Sequence, residues 1–332
     1  MSYQKNRRSK MLNNWQGVTE KNRRIYEKYL NSCRSNNEET WDTTYKTYSS
    51  RMYKFLKWLN KEKNRYLLSQ DTLENAVEII EEYKNYCREC GNSKRTIANA
   101  IVTISSFYDW TVRRKMVKYH PFKDRLEKQK ITDRDSTRES YYLTTEQVLT
   151  ARLYMKVEHK KFDLQDRILW ELFIDSACRI SAIQALTLEQ LELEGGYFKN
   201  VIEKEGYVVN AYFFDTCKVL IKEWLQEREK MGIQEKWLFV TKYNNEYRQM
   251  SQATIRNRIR KIGKILEIEG LYPHSLRKTS INLLSKLGGL DIASHYANHA
   301  STLVTSKHYI EKESATEIRN QILALRQKIG IF

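Results

Sequence analysis

Apolar residues fall along this chain with two different periods. At helical spacing lie Tyr45, Tyr48, Met52, Phe55, Leu56 and Leu59, then Ala76, Ile79, Ile80 and Tyr83. A third run, Thr96, Ile97, Ala100, Ile101, Ile104, Phe107, Tyr108 and Trp110, follows a Gly91-Asn92-Ser93 break, with Ser93 the expected N-cap. These three stripes predict a small helical bundle. Pro121 closes it, because the residue before a proline is biased away from helix. From Lys123 to Ser140 the chain is charged, nearly free of apolar residues and without period, which predicts an exposed linker.

Beyond the linker the pattern mixes. Thr144 and Thr145 followed by Glu146 predict a helix start, and Ile168, Leu169, Leu172 and Phe173 place a helix near 166–175. The β-branched and aromatic runs 197–202 and 207–214 flank Glu203-Lys204-Glu205-Gly206 and predict a β-hairpin. Asp215 or Thr216 is expected to cap a helix through Met231, and Ser251 another through Ile268. With only 2 prolines and 11 glycines the chain is read as mostly α. Four parts result: a basic tail 1–17, a helical unit 18–122, a linker 123–141, and a mixed unit 142–332, mainly helical with a small antiparallel sheet.

Charge narrows the partner. Lys and Arg number 58 against 41 Asp and Glu, a net +17, and residues 1–140 carry 30 of the basic and 18 of the acidic side chains. Such an excess suits a protein that lies along a polyanion. Lys94-Arg95 at a helix start and Arg113-Arg114-Lys115 at a helix end are the expected phosphate contacts. No run approaches the ~18 apolar residues of a membrane span, and the basic N-terminus lacks the apolar stretch of a secretory signal. The five cysteines form no disulfide framework, and Cys87-x-x-Cys90 has no second pair to complete a zinc site. A reduced, cytoplasmic setting is expected, nucleoid-associated when the protein is on DNA.

The chemistry is found by elimination and then by order. Neither G-x-x-x-x-G-K-[ST] nor G-x-G-x-x-G occurs, nor a G-x-S-x-G elbow. His295 and His299 are four apart, but Tyr296 stands where H-E-x-x-H needs its glutamate. No metal and no cofactor is therefore expected. What remains is Arg179 just past an apolar helix, His274 and Arg277 three apart behind Pro273, His299, and Tyr309.

In that order these residues resemble the tyrosine recombinase, or phage integrase, family. Arg179 in CRIS matches the family's first arginine; His274 and Arg277 in HSLRKT match its H-x-x-R box; His299 in NHAS and Tyr309 in SKHYIE match the later histidine and the nucleophile. Lys204 fits the hairpin lysine, with Lys199 nearby as the alternative. Residues 18–122 are similar to the family's helical core-binding domain, including Ser93-x-x-Thr96-Ile97 and a closing His120-Pro121-Phe122. Two positions depart: Ala182 where an acidic residue often follows the first arginine, and Asn298 where a glycine usually precedes the late histidine. The resemblance implies a DNA recombinase with a core-binding and a catalytic domain, acting through a 3′-phosphotyrosyl intermediate as a tetramer on paired sites of double-stranded DNA. An accessory DNA-bending factor is a further partner it leaves room for.

The residue types suit that chemistry. Cutting a phosphodiester without metal needs fixed cations where negative charge builds up, and guanidinium can donate two parallel hydrogen bonds to phosphate. A tyrosine hydroxyl in a positive field can attack phosphorus, a lysine can protonate the leaving oxygen, and histidines can bond phosphate or move the nucleophile's proton. A covalent phosphotyrosine conserves the bond energy, in keeping with the missing nucleotide motifs. Tyrosines number 22, so spacing rather than residue type singles out Tyr309. After it, Ile318, Ile322, Leu323, Leu325 and Ile329 predict an apolar helical stripe within 315–329, which the resemblance implies is an exchange helix between protomers and which could otherwise cover its own domain. A topoisomerase of type IB, a catalytically silent DNA-binding protein and, more remotely, a metal-dependent nuclease share parts of this pattern.

Overall fold

Two compact units, 1–139 and 140–332, make up the chain. The computed structural model describes residues 15–36, 44–127, 130–132, 135, 141–203, 206–297 and 302–310.

The first unit holds helices α1 (Glu20–Asn36), α2 (Lys46–Lys63), α3 (Gln70–Glu74), α4 (Ala76–Glu89) and α5 (Lys94–Arg113). Its core is aromatic: Tyr26, Tyr29, Phe55, Trp58, Tyr83, Phe107 and Trp110 meet with ring centroids 4.9 to 6.1 Å apart, most of them edge-on or tilted. Ser93 caps α5 by accepting the Thr96 N–H, as its sequence setting predicts. Helix α1 is locked by buried Asn22, whose side chain donates to the Arg65 carbonyl at 2.9 Å and accepts the Leu67 N–H at 2.8 Å. Packing continues past Pro121: Phe122 is fully buried and Leu126, inside the segment read as linker, rests against the same core. Cys87 lies in this core with its thiol free; the thiol of Cys90 is exposed.

The second unit opens with α6 (Thr145–Val157), whose N-cap Thr144 and Gln147 form a capping box. Helix α7 (Leu164–Ser176), capped by Asp163, is the central strut, with Ile168, Leu169, Trp170, Leu172 and Phe173 all fully buried. There follow α8 (Ile180–Gln184), an antiparallel sheet of β1 (Leu191–Glu192), β2 (Tyr197–Ile202) and β3 (Val208–Tyr212) in that spatial order, and α9 (Asp215–Lys230). A bulge between Phe198 and Val201, with Asn200 at φ 52°, shifts the β2–β3 register. A second hairpin, β4 (Val240–Tyr243) and β5 (Glu246–Gln249), precedes α10 (Gln252–Gly263), α11 (Pro273–Tyr296) and α12 (Thr302–Tyr309). Mostly α with small antiparallel sheets, the architecture is the one expected.

Details differ from the sequence reading. The helix begun by Ser251 ends at Gly263 rather than Ile268, because the chain folds back there. The Ile268 N–H bonds the Gly263 carbonyl at 2.9 Å, and a Cβ on Gly263 would stand 2.6 Å from both Ile268 O and Leu271 Cβ. Neither Asp215 nor Thr216 caps α9; Phe214 takes the N-cap position, its N–H bonded by the Asp175 carboxylate at 3.0 Å. Helix α11 breaks at Gly289, whose φ of 84° no other residue type adopts easily. Helix α1, the strands β1, β4 and β5 and short α8 were not anticipated. Among the described residues no helix is long and apolar enough to cross a membrane.

Candidate active site

Four of the predicted residues converge in the second unit, from three stretches of chain. Helix α7 ends at Ala177, which turns the backbone through a left-handed conformation (φ 50°). The turn is braced by Ser176, whose hydroxyl bonds the Leu172 carbonyl and accepts the Cys178 N–H. Arg179 thereby becomes the N-cap of α8. Pro273 starts α11 at its first position, so His274 and Arg277, three residues apart, share a face of its first turns. Tyr309 closes α12.

The arginines differ in depth. The Arg179 side chain keeps 30% of its surface exposed, whereas that of Arg277 keeps 2%. Arg277 spreads its fork over two backbone carbonyls, Nη1 to Ala177 and Nη2 to Ala297 at 2.7 Å. Between the arginines sits Glu203, its side chain 1% exposed. One carboxylate oxygen accepts the Arg179 backbone N–H at 2.9 Å and lies 3.5 Å from Arg277 Nη1; the other pairs with the Arg179 guanidinium.

Tyr309 rests on this floor. It is 7% exposed and lies against Ala177, Ile281, Ala293 and Ala297, a cluster separate from the main core. Its ring meets the His274 ring edge-on at 5.4 Å between centroids, and the Arg277 guanidinium stands 5.5 Å from its centre. His274 is exposed at the surface, with its ring turned toward the cations Lys278, Arg277 and Arg179. Loss of water around the ring, then repulsion from Lys278, Arg277 and Arg179, pushes its pKa down to about 4, so it is neutral at pH 7. Tyr296, another tyrosine close by, is half-buried, and loss of water around it raises its hydroxyl well above the ordinary value. Among the described residues no group of His, Cys, Asp and Glu could hold a metal ion.

Lys204 and His299 lie outside the described residues, as does the 315–329 stripe. The alternative lysine, Lys199, is on β2 and is bound to Glu192 of β1 at 2.5 Å. In the first unit Lys94 and Arg95 are exposed at the start of α5, with Lys94 paired to Asp135 at 2.8 Å; Arg113, Arg114 and Lys115 are exposed at its end. At ~1.5 Å per residue the 20-residue α5 separates the two clusters by about 30 Å. Glu203 is the residue that sequence reasoning missed. Its one signal was position, between a strand and Lys204, opposite an Ala182 that leaves Arg179 without a nearby acid.

The phage integrase family profile matches residues 142–315. A tyrosine recombinase XerC of Thermodesulfovibrio yellowstonii is 28% identical over 238 residues, 67% of this chain and 75% of that protein. The XerC of Shewanella amazonensis is 26% identical over 144 residues, covering 43% and 47%. Among solved structures, the XerH site-specific recombinase bound to its palindromic difH substrate superposes with a TM-score of 0.66 at 17% identity, over 89% of this chain and 82% of that one. The Tn1549 transposon integrase in complex with circular intermediate DNA gives 0.65 at 16% identity, over 90% and 98%.

Proposed function

The chain belongs to the phage integrase family and is a tyrosine recombinase, an enzyme of site-specific DNA breaking and rejoining; on that premise we propose that Tyr309 is its nucleophile. The observation that carries this is the meeting of Tyr309 with His274 and Arg277, at 5.4 and 5.5 Å, beside Arg179. The Tyr309 oxygen attacks the scissile phosphorus, its proton passing to a histidine, either His274 or His299. The bond from phosphorus to the 5′ oxygen breaks, Lys204 protonates that oxygen, and a 3′-phosphotyrosyl link remains. Attack by a 5′-hydroxyl from another strand reverses each transfer and rejoins DNA without ATP. Arg179, the more reachable guanidinium, and Arg277 beneath it stabilise the negative charge of the transition state. For the lysine, the Lys199–Glu192 pair favours Lys204.

The partner is double-stranded DNA bearing recombination sites. We infer that Lys94, Arg95, Arg113, Arg114 and Lys115 contact its backbone: clusters about 30 Å apart match the ~34 Å repeat of duplex grooves. The domains are read as a core-binding unit 18–122 and a catalytic unit from 142 onward. Tetramer assembly on paired sites through the 315–329 segment, help from a DNA-bending factor and a cytoplasmic, nucleoid-associated location complete the proposal. A duplex nicked near the crossover traps the covalent adduct on a denaturing gel. Tyr309→Phe should abolish the adduct with DNA affinity nearly unchanged; a normal adduct yield would move the nucleophile elsewhere.

A further inference from the structure

Helix α8 begins at Arg179 without a cap from its own sequence. In a capped helix start, the third helical residue often carries an acid that reaches back to the N-cap N–H. Here that residue is Ala182, fully buried and unable to accept a hydrogen bond. The N–H is instead bonded from outside the helix, by Glu203, 24 residues further along the chain. The second oxygen of the same carboxylate holds the Arg179 guanidinium, and the first lies 3.5 Å from Arg277. A carboxylate with 1% of its side chain exposed must be matched by cations, and these are the two arginines of the site. Glu203 is itself fixed at the turn end of the β2–β3 hairpin, where its N–H bonds the Tyr207 carbonyl at 2.8 Å.

We propose that Glu203 is a positioning residue for the cleavage reaction, setting the spacing and aim of Arg179 and Arg277 by capping the first and bridging both. It sits between the two arginines with 1% of its side chain exposed, and acts through them rather than on the substrate. The inference rests on the reading of Arg179 and Arg277 as ligands of the scissile phosphate. Glutamine at 203 keeps the shape and an acceptor for the Arg179 N–H but removes the charge that draws the guanidiniums together.

The test is single-turnover cleavage of nicked duplex by Glu203→Gln, with DNA affinity and a thermal melt measured on the same preparation and Arg277→Lys run alongside. Glu203→Gln should cleave about 10- to 100-fold more slowly, less than the ~10²–10³-fold of losing a preorganised donor outright because both arginines remain, with affinity changed less than about threefold. The deficit should persist on a substrate whose 5′ bridging oxygen is replaced by sulfur, because a thiolate leaves without a proton and so bypasses the lysine. Cleavage at or above the wild-type rate, parallel losses in affinity and cleavage, or recovery on the sulfur substrate would each overturn the proposal. If Glu203→Gln cleaves normally while Arg277→Lys is crippled, only this inference fails. If Arg277→Lys also cleaves normally, the phosphate-ligand reading fails and takes this inference with it.

Discussion

The Arg277 guanidinium and the Ala297 carbonyl, 20 residues apart in the chain, are joined by a hydrogen bond of 2.7 Å. The same fork also holds the Ala177 carbonyl, two residues before Arg179. Arg277 thus secures the backbone ahead of Arg179 and the backbone ahead of His299, besides lending its charge to Tyr309. A lysine ammonium is a point donor and cannot span both carbonyls. Arg277→Lys should slow cleavage on the order of 10²-fold and lower stability by about 1–3 kcal/mol, the cost of one buried carbonyl left without its donor. Single-turnover cleavage and a denaturant melt read the two effects, and DNA affinity should fall far less than the cleavage rate.

His274 supplies a pH dependence of fixed sign. Its pKa is about 4 in the folded, DNA-free protein and near the ordinary 6.5 when unfolded. Between those values the unfolded chain binds the proton and the folded one does not, so this group's contribution to stability falls as pH drops from about 6.5 toward 4. A phosphate brought beside the ring favours its charged form. DNA binding near pH 5.5 should therefore take up a proton and tighten as pH is lowered. Calorimetry in two buffers of different ionisation heat detects the uptake, and His274→Gln should remove it.

Asp175 behaves in the opposite sense. Burial raises its pKa to about 6, opposed by the hydrogen bond it accepts from the Phe214 N–H. Stability from this group is greatest below the unfolded value of 3.8 and is lost as pH rises through 6. Asp175→Asn keeps an acceptor for Phe214 and removes the buried charge. It should stabilise the protein at pH 8 by about 1 kcal/mol, a partly solvated fraction of the ~3 kcal/mol that such a shift represents, and leave it unchanged at pH 4. Thermal melts at the two pH values decide this.

The basic ends of α5 are read by salt. Taking one cation away from a phosphate should flatten the slope of log affinity against log salt concentration by about 0.9. Replacing Arg113, Arg114 and Lys115 together by alanine should flatten it by up to about 2.7 and weaken binding to unrelated duplexes as much as to the target. An unchanged slope would take the C-terminal end of α5 off the DNA.

The set of Arg179, His274, Arg277 and Tyr309 was legible because it resembles the residue order of a known family, with a helix end before Arg179 and a proline start before His274 as local support. Glu203 was not, because nothing local announces that a hairpin glutamate will cap a helix begun 24 residues earlier. Helix α1 escaped because its buried face, Ile25, Tyr26, Tyr29 and Leu30, is set among charged residues and includes buried Asn22. The β4–β5 hairpin does carry a local signal. Asn244 and Asn245 both take positive φ, 49° and 65°, as a two-residue hairpin turn requires, and asparagine pairs tolerate it.

Three of the residues clustered with Tyr309, namely Ala177, Ala293 and Ala297, are alanines, Ile281 and half-buried Tyr296 complete the set, and the cluster is detached from the main core. Methyl groups interlock little with a ring, so Tyr309 is held by its own buried surface and by His274 and Arg277 rather than by the close knit of large side chains that surrounds α7. Local opening free energies follow such differences. In amide hydrogen exchange the 302–310 segment should therefore exchange orders of magnitude faster than α7, and it should slow when a covalent bond to DNA takes over from the alanines as its anchor.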